Sequence, residues 1–345
     1  MPEEELPFVS VLVPVRNESA FIRSLIAALA KQDYPRDRFE VIVADGLSTD
    51  DTRDRLAQMQ QNWPQLRVID NPSHIVSTGL NAAFAASCGD IVIRIDGHAL
   101  PSSGFIRENV ALLEEHPEAW IVGGPIRNSA RTQFGKAVAV AMSHPLGVGN
   151  AFHRYQDYEG YSDSTAFPAI RRWVFDRIGL FDVRLVRNQD DEFNYRVTRA
   201  GGKIWVSPRI RYAYFVRERA RQLLRQYFQY GFWRIPVLEK HGRPTTLRQL
   251  APTAFYASCL TGVIAGAISG QPLVAAALPA AYAAALIGAG AGKLRSAGAA
   301  VALRVPLAIA TMHAGYAVGV GYGVWARMFR PDAWDIDGQM SRISR

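Results

Sequence analysis

Short apolar runs alternate with amphipathic segments over the first 125 residues of the chain. The apolar runs predict five strands, at 8–15, 39–45, 66–70, 90–96 and 119–124. The amphipathic patterns between them predict helices at 19–32, 50–61, 78–87 and 103–116. Strands separated by helices of this length indicate βαβ units and a mostly parallel sheet with helices on both faces. Such sheets bind ligands beyond the carboxyl ends of their strands, so polar residues that follow each strand are site candidates.

The pattern changes after residue 125. It is irregular from 126 to 215, apart from a helical stretch at 189–202 that ends in two glycines typical of a helix C-cap. A basic segment follows at 217–242, with aromatic residues concentrated in its second half. This segment predicts an amphipathic helix in a membrane interface, with Arg outward and Tyr, Phe and Trp at headgroup depth. An ordinary surface helix of a globular domain is the alternative.

Three long apolar stretches come next, at 251–271, 272–291 and 299–326. Each approaches or exceeds the roughly 20 residues that cross a bilayer. Small residues at every fourth position would let helices approach closely in lipid: Gly262, Gly266 and Gly270, then Gly315, Gly319 and Gly323. A buried Ala-rich core of a soluble domain is disfavoured, because few polar residues could form its outer face. Two positive charges in the loop at 292–298 predict that it is cytoplasmic and that the first two stretches form a hairpin, whereas the third either crosses or bends back.

Composition and charge narrow the classes of partner. The 345-residue chain has a net charge of +8, but its arginines are not interleaved with aromatic residues in a nucleic-acid motif. They concentrate at 184–248 and in the tail, which favours an anionic membrane surface or an anionic substrate. No disulfide is expected between Cys88 and Cys259, which fits a reducing cytoplasm, and the first ten residues do not resemble a signal peptide.

Polar residues follow three of the predicted strands. Pro14 to Glu18 follow the first, and Asp45 to Thr52 follow the second, where Ser48 is either a site residue or a helix N-cap. A lone Asp45 carboxylate at the end of a buried strand is costly unless something polar is bound there. The fourth strand ends at Asp96-Gly97-His98, and residues two apart on a strand project to the same side, so carboxylate and imidazole are expected to converge. A turn cap and a surface histidine are the alternative.

Several of these motifs resemble family 2 glycosyltransferases, which have the GT-A fold. The stretch VSVLVPVRNESAFIRSLIAALAKQDYPRDRFEVIVADGLSTDDT is similar to the family's opening, with Pro-x-x-Asn-Glu, Gln-x-Tyr-Pro and Asp-Gly-x-Ser-x-Asp-x-Thr in order. Further on, NQDDEFNYRV resembles the family's acidic segment, and YGFWR resembles its aromatic acceptor-side element. The resemblance covers about residues 8–240 and is strongest to membrane-anchored, succinoglycan-type exopolysaccharide glucosyltransferases.

The resemblance implies site residues position by position. A nucleotide-sugar pocket would be lined by Pro14, Arg16, Asn17, Glu18, Asp45, Ser48, Asn81 and Asp96, although Leu80 and Ala83 replace the family's usual Arg and Gly around Asn81. Asp96 and His98 would hold Mn²⁺ or Mg²⁺, with His98 at a position usually held by a carboxylate. The acceptor side would include Asp163, Gln229, Tyr230 and Trp233, of which Tyr230 and Trp233 could instead anchor the interface helix.

Asp190 falls on the family's catalytic position, with Gln189 in place of the usual Glu. Adjacent helical residues point about 100° apart, so only Asp190 or Asp191 can face an acceptor, and an N-cap is the alternative role. The resemblance implies that Asp190 takes the proton from the acceptor hydroxyl in a single inverting displacement.

The whole chain is therefore expected to have four parts: a cytoplasmic GT-A domain (1–215), an amphipathic interface region (216–250), transmembrane helices (251–328) and a tail (329–345). It would lie in the cell membrane and move a hexose, with glucose from a UDP-sugar expected, onto a lipid-linked saccharide. A polyprenyl-phosphate sugar synthase and a catalytically inactive nucleotide-binding scaffold are the alternatives. Processive synthesis is disfavoured by Phe232, which replaces the Arg of the Gln-x-x-Arg-Trp element.

Overall fold

A computed structural model of the protein describes residues 6–330. Strands and helices alternate up to residue 124: β1 Val9–Val15, α1 Ser19–Leu29, β2 Phe39–Asp45, α2 Thr52–Gln60, β3 Leu66–Asp70, α3 Val76–Ala85, β4 Ile91–Arg94, β5 Ala99–Pro101, α4 Phe105–Glu115 and β6 Ala119–Gly124. The middle of the chain contains β7 Asn128–Ser129, α5 Gln133–Ala141, α6 Pro145–Val148, β8 Gly160–Ser162, β9 Ala166–Arg171, α7 Trp173–Ile178, α8 Gln189–Arg199, β10 Lys203–Val206 and β11 Tyr212–Phe215. Helices follow: α9 Ala220–Phe232, α10 Arg234–His241, α11 Ala251–Ser269, α12 Pro272–Ala291, α13 Leu294–Ala297, α14 Ala299–Ala302 and α15 Val305–Phe329.

The described chain divides into two compact units. The N-terminal unit comprises residues 6–127 and 151–215, and the C-terminal unit comprises residues 128–150 and 216–330. Segment 128–150 groups with the C-terminal helices, although it was expected to belong to the first domain. The reason is local, since α5 buries Ala137, Val138 and Ala141 and contacts α14 and α15.

The N-terminal unit is built on an eight-stranded sheet in the order β3-β2-β1-β4-β9-β6-β10-β8. The pairs β2–β3, β1–β2, β1–β4 and β6–β10 are parallel, whereas β9 and β8 run antiparallel to their neighbours. The predicted mostly parallel sheet is therefore confirmed.

The two faces of this sheet are covered by different helices. Every residue of β1 and β2 is buried, as expected for strands with helices on both sides. Val11 packs in one core with Ile22 of α1, whereas Leu12 packs in the other with Leu80 of α3. The alternation follows from the two-residue period of a strand, which sends neighbouring side chains to opposite faces.

The C-terminal unit is helical from Ala220 onward. The predicted basic helix at 217–242 is two helices, α9 and α10, with a break at Trp233. Phe232 and Trp233 are almost fully buried, so the expectation that they lie at headgroup depth is corrected for these two residues. Their rings pack against each other edge to face, 5.7 Å apart.

Three helices of the described chain are long and apolar enough to cross a membrane. They are Ala251–Ser269, Pro272–Ala291 and Ala299–Phe329. Within the third, α15 continues unbroken for 25 residues and does not bend back. Much of α15 is buried along α9, where a Cβ on Gly315 would lie 2.8 Å from the Leu224 carbonyl oxygen. The glycine spacing at 315–323 therefore permits close contact with the basic helix α9.

Candidate active site

The loops after β1 and β2 are linked by hydrogen bonds at one edge of the sheet. Parallel register places Val15 beside Asp45 and Asp45 beside Asp70, so three strand ends are level. The Asn17 backbone N–H donates to Ser48 Oγ (2.9 Å), and the Thr49 N–H donates to Asn17 Oδ1 (2.8 Å). Asn17 has a left-handed backbone (φ 55°), which this pairing holds in place.

Asp45 is fully buried at the end of β2 and is neutralised by the protein itself. Its carboxylate accepts hydrogen bonds from Ser48 Oγ (2.5 Å) and Arg53 Nη1 (3.1 Å). Arg53 also donates to Asp70 (2.7 Å). The expectation that Asp45 needs a bound polar ligand is therefore corrected, because Ser48 and Arg53 supply its partners. Arg53 was not among the predicted site residues, although it lies just inside the helix that follows the Asp-Gly-x-Ser motif.

Three further predicted pocket residues lie near these loops with different exposure. Pro14 is buried within β1. Arg16 is half-buried beside Gly46, where a Cβ would lie 3.3 Å from the Arg16 Cβ. The backbone N–H of Glu18 donates to Thr52 Oγ1 (2.9 Å), which leaves the half-buried Glu18 side chain facing His98.

Asn81 holds a loop in place. Its Nδ2 donates to the Phe181 carbonyl oxygen (2.8 Å), and its Oδ1 accepts from the Phe181 N–H (3.1 Å). Ser77, one turn earlier on α3, donates to the Leu185 carbonyl oxygen (3.2 Å). These bonds fix the segment that leads into α8, and the donor-pocket role of the half-buried Asn81 stays a prediction.

Arg94 connects the end of β4 to the start of α8. One guanidinium nitrogen lies 2.8 Å from Asp96 Oδ1, and another lies 3.3 Å from Asp190 Oδ2. The Arg94 side chain is 10% exposed, whereas those of Asp96 and Asp190 are 25% and 49% exposed. Burial alone would raise the pKa of Asp96, but the charges of Arg94 and His98 hold that pKa below its usual value. Sequence reasoning missed Arg94, yet a charged residue within the apolar run IVIRI was a visible signal.

His98 contacts Glu18 of the loop after β1. Strand β4 ends at Arg94, so residues 96–98 lie in a turn and the argument that both side chains project from one strand face is wrong. His98 Nδ1 lies 3.1 Å from Glu18 Oε1, and its ring packs 5.6 Å from that of Tyr214.

A divalent cation near the end of β4 would need several oxygen or nitrogen ligands. Within residues 6–330 there is no group of three His, Cys, Asp or Glu side chains arranged to hold a metal. Asp96 and His98 would supply at most two ligands, Asp96 Oδ1 pairs with Arg94 (2.8 Å), and the Glu18 contact is of the kind that orients a metal-binding imidazole. Two protein ligands suit a cation that takes its remaining ligands from diphosphate and water, so these residues fit that group.

Asp190 stands at the first turn of α8. Asn188 is the N-cap residue, with a left-handed backbone (φ 62°), and Asp190 lies one position inside the helix start, where its Oδ1 accepts from the Asp191 N–H (2.9 Å). Glu192 is fully buried and forms a 2.9 Å ion pair with Arg196. The Asp190 side chain is 49% exposed and contacts Arg94, and Asp191 beside it is also half-buried.

The predicted acceptor-side residues belong to both units. Asp163 is half-buried after β8, and the adjacent Ser164 accepts a hydrogen bond from Asn194 of α8 (3.0 Å). In the C-terminal unit Gln229 is buried, and Tyr230 Oη accepts from Gln226 (3.2 Å). Trp233 is interior, so the predicted stacking of a sugar on this ring is corrected.

Comparison with known proteins identifies the family. The sequence profile of glycosyl transferase family 2 matches residues 10–179. Succinoglycan biosynthesis protein ExoA of Rhizobium meliloti is 30% identical over 259 residues, which cover 74% of this chain and 78% of ExoA. The chain belongs to glycosyl transferase family 2. This family 2 glycosyltransferase is also 27% identical over 232 residues to a Methanococcus voltae protein, covering 65% of the chain and 72% of that protein. Its name is dolichyl N-acetyl-α-D-glucosaminyl phosphate 3-β-D-2,3-diacetamido-2,3-dideoxy-β-D-glucuronosyltransferase.

Solved structures agree on the fold of the family 2 glycosyltransferase. The mannosyltransferase PcManGT of Pyrobaculum calidifontis, solved with GDP-Man and Mn²⁺, has a TM-score of 0.61 at 22% identity, covering 94% of this chain and 89% of its own. Residues 1–349 of Staphylococcus aureus TarS have a TM-score of 0.53 at 18% identity, covering 94% and 93%. The expected GT-A fold with C-terminal apolar helices is confirmed.

Proposed function

We propose that this glycosyltransferase moves a hexose, with glucose from a UDP-sugar expected, to a hydroxyl group of a lipid-linked saccharide. The observation that carries the proposal is Asp190, half-exposed at the start of α8 and connected through Arg94 to Asp96. The similarity of the chain to ExoA supports a role in surface polysaccharide synthesis. The Methanococcus voltae relative, named for a sugar acceptor on dolichyl phosphate, supports a lipid-linked acceptor.

The proposed reaction is one inverting displacement. Asp190 accepts the proton of the acceptor hydroxyl while that oxygen attacks the anomeric carbon of the donor sugar. Arg94 holds Asp190 in position and keeps a positive charge between Asp190 and Asp96. A divalent cation held by Asp96 and His98 would supply electrostatic stabilisation of the leaving diphosphate, and the Mn²⁺ of PcManGT supports this assignment.

We assign the nucleotide to the loops after β1 and β2. Arg16, Asn17, Glu18 and Ser48 lie in these loops, and the fully buried Asp45 acts on the site through its 2.5 Å bond to Ser48. Asp45 is therefore a positioning residue in this proposal.

The three apolar helices support attachment to the cell membrane, with the N-terminal unit in the cytoplasm where nucleotide sugars are made available. Asp163 and Tyr230 remain candidates for acceptor contacts, on their family positions and partial exposure.

A donor panel tests this function. Purified full-length protein is incubated with UDP- or GDP-sugars, a membrane lipid extract and Mn²⁺ or Mg²⁺, and products are identified by mass spectrometry. A mass gain of one hexose on a lipid-linked saccharide, with UDP-sugar only and abolished by EDTA, is expected. Transfer to bare polyprenyl phosphate would favour a polyprenyl-phosphate sugar synthase, and no transfer from any donor would favour an inactive scaffold.

A further inference from the structure

A cavity lies between α9 and α15 in the C-terminal unit. Its volume is about 510 Å³, and it is lined by Arg221, Gln222, Leu224, Arg225, Phe228, Ala314, Gly315 and Val318. The α9 side supplies two arginines and a glutamine together with Leu224 and Phe228, and the α15 side is apolar. Basic and apolar side chains in one cavity match the anionic head and the apolar tail of an amphiphile.

The cationic wall is formed by two arginines one helical turn apart. Arg221 and Arg225 lie four residues apart on α9, so their side chains share a face. Both are exposed, and neither forms a side-chain hydrogen bond or ion pair with any other residue in the part of the chain from 6 to 330. Two guanidinium groups on one cavity wall can donate several hydrogen bonds to one phosphate group.

The acidic residues of this unit do not neutralise the arginines. Among its described residues these are Glu218 and Glu239. Glu218 accepts from the backbone N–H groups of Arg131 (2.5 Å) and Thr132 (3.1 Å), which hold its pKa below the usual value. Glu239 is paired with Arg327 (2.6 Å). The positive charge at Arg221 and Arg225 is therefore available to a ligand.

The apolar lining comes from both helices, of which α15 lies in a segment long enough to cross a membrane. Val318 of α15 is 61% exposed, and Leu224 of α9 is 44% exposed. Large exposed apolar side chains cost free energy in water, whereas acyl chains would cover them at no such cost. A soluble anion could neutralise the arginines but would leave these side chains uncovered.

We propose that this cavity binds an anionic membrane phospholipid, with Arg221 and Arg225 donating to the phosphate and Leu224, Phe228 and Val318 contacting an acyl chain. Basic pockets between membrane helices bind anionic lipid headgroups in this way. The proposal does not depend on the transfer reaction, and it concerns a lipid that is not consumed.

Native mass spectrometry of the full-length protein in detergent tests the proposal. Phosphatidylglycerol and phosphatidylcholine with identical acyl chains are titrated into the wild type and two charge-matched double variants. R221Q/R225Q removes the cationic wall, whereas R217Q/R219Q removes two exposed arginines of the same segment that do not line the cavity. We expect phosphatidylglycerol affinity to fall at least roughly tenfold in the first variant and to stay within about threefold in the second.

Two results would overturn the proposal. Equal losses of phosphatidylglycerol affinity in the two double variants would show that the lipid is attracted to basic charge in general and not to this cavity. Displacement of phosphatidylglycerol by equimolar deacylated headgroup, glycerophosphoglycerol, would show a site for a free anion. The variant Val318→Asn tests the apolar lining independently, and it should weaken phosphatidylglycerol binding several-fold while both arginines remain.

Discussion

At the scale of single residues, Arg94 organises the proposed active site. It is a charged residue in a buried strand, and it contacts Asp96 at 2.8 Å and Asp190 at 3.3 Å. Burying a guanidinium is costly unless it is paired, and the two carboxylates supply that pairing. The three side chains therefore form one electrostatic unit, in which the loss of any member affects the other two.

Replacing Arg94 should lower the transfer rate while the sheet still folds. In R94M the carboxylates of Asp96 and Asp190 lose their shared partner, so we expect kcat to fall at least about tenfold. R94K keeps the charge, but one ammonium group cannot reproduce the guanidinium fork, so an intermediate rate is expected. Initial-rate measurements with the donor sugar check this.

Arg209 provides the matched control, since it also pairs with two carboxylates, Glu108 and Glu115, but at an exposed surface. R209M should transfer at close to the wild-type rate. Equal rate losses in R94M and R209M would remove Arg94 from the proposed site.

Asn81 gives a second test at this scale. Because its amide bonds both backbone groups of Phe181, Asn81→Ala should lower the free energy of unfolding by about 1–3 kcal/mol while UDP affinity stays within about twofold. Thermal melting in detergent and calorimetry with UDP measure the two quantities. Asn62→Ala, at an exposed helix end, is the control and should change neither. A large loss of UDP affinity at unchanged stability would place Asn81 in the donor pocket.

At the scale of elements, the sequence pattern predicted the strands that lead into the site, but it did not predict all of their ends. Strands β2, β3 and β6 have the predicted bounds, and β2 and β6 are almost entirely buried, whereas β3 is partly exposed. Strand β4 ends two residues early, where the chain turns at Asp96–His98. The basic helix is split at Trp233, where Pro236 in the first turn of α10 has no N–H to donate to the Phe232 carbonyl oxygen, so this proline was a visible signal for the break.

The contact between α9 and α15 depends on small residues. A Cβ on Gly319 would overlap the Phe228 carbonyl oxygen, whereas a Cβ on Gly321 would have no atom within 4 Å. Gly319→Ala should therefore force the helices apart and lower stability by about 1–3 kcal/mol. Gly321→Ala should leave stability equal or slightly higher, since Ala favours helix over Gly. Melting temperatures in one detergent compare them, and equal values would contradict the observed packing.

At the scale of the whole molecule, the order of an α/β unit followed by apolar helices was predictable, because local periodicity and composition carry it. The grouping of segment 128–150 with the C-terminal helices was not, since it depends on contacts distant in sequence. The same limit applies to the site. The motifs indicated Asp45, Asp96 and Asp190, but their partners Arg53 and Arg94 become evident only when separate strands and helices meet.

Membrane topology is a prediction for the complete protein. If the loop at 292–298 is cytoplasmic, the turn between α11 and α12 is on the opposite side. In a C88A/C259A background, Ser296→Cys should react with an impermeant maleimide in inverted vesicles, and Gln271→Cys should react in intact spheroplasts. Labelling of both positions from one side would contradict the hairpin.

The assignment of Asp190 as the base that deprotonates the acceptor is the central claim, and one paired measurement tests it most directly. UDP affinity by calorimetry and hexose transfer by mass spectrometry are compared in D190N and in D191N, its neighbour on α8. We expect D190N to bind UDP with wild-type affinity within about twofold and to lose at least about a hundredfold in transfer rate. D191N should retain most of the wild-type transfer rate. Transfer by D190N at the wild-type rate would contradict the account.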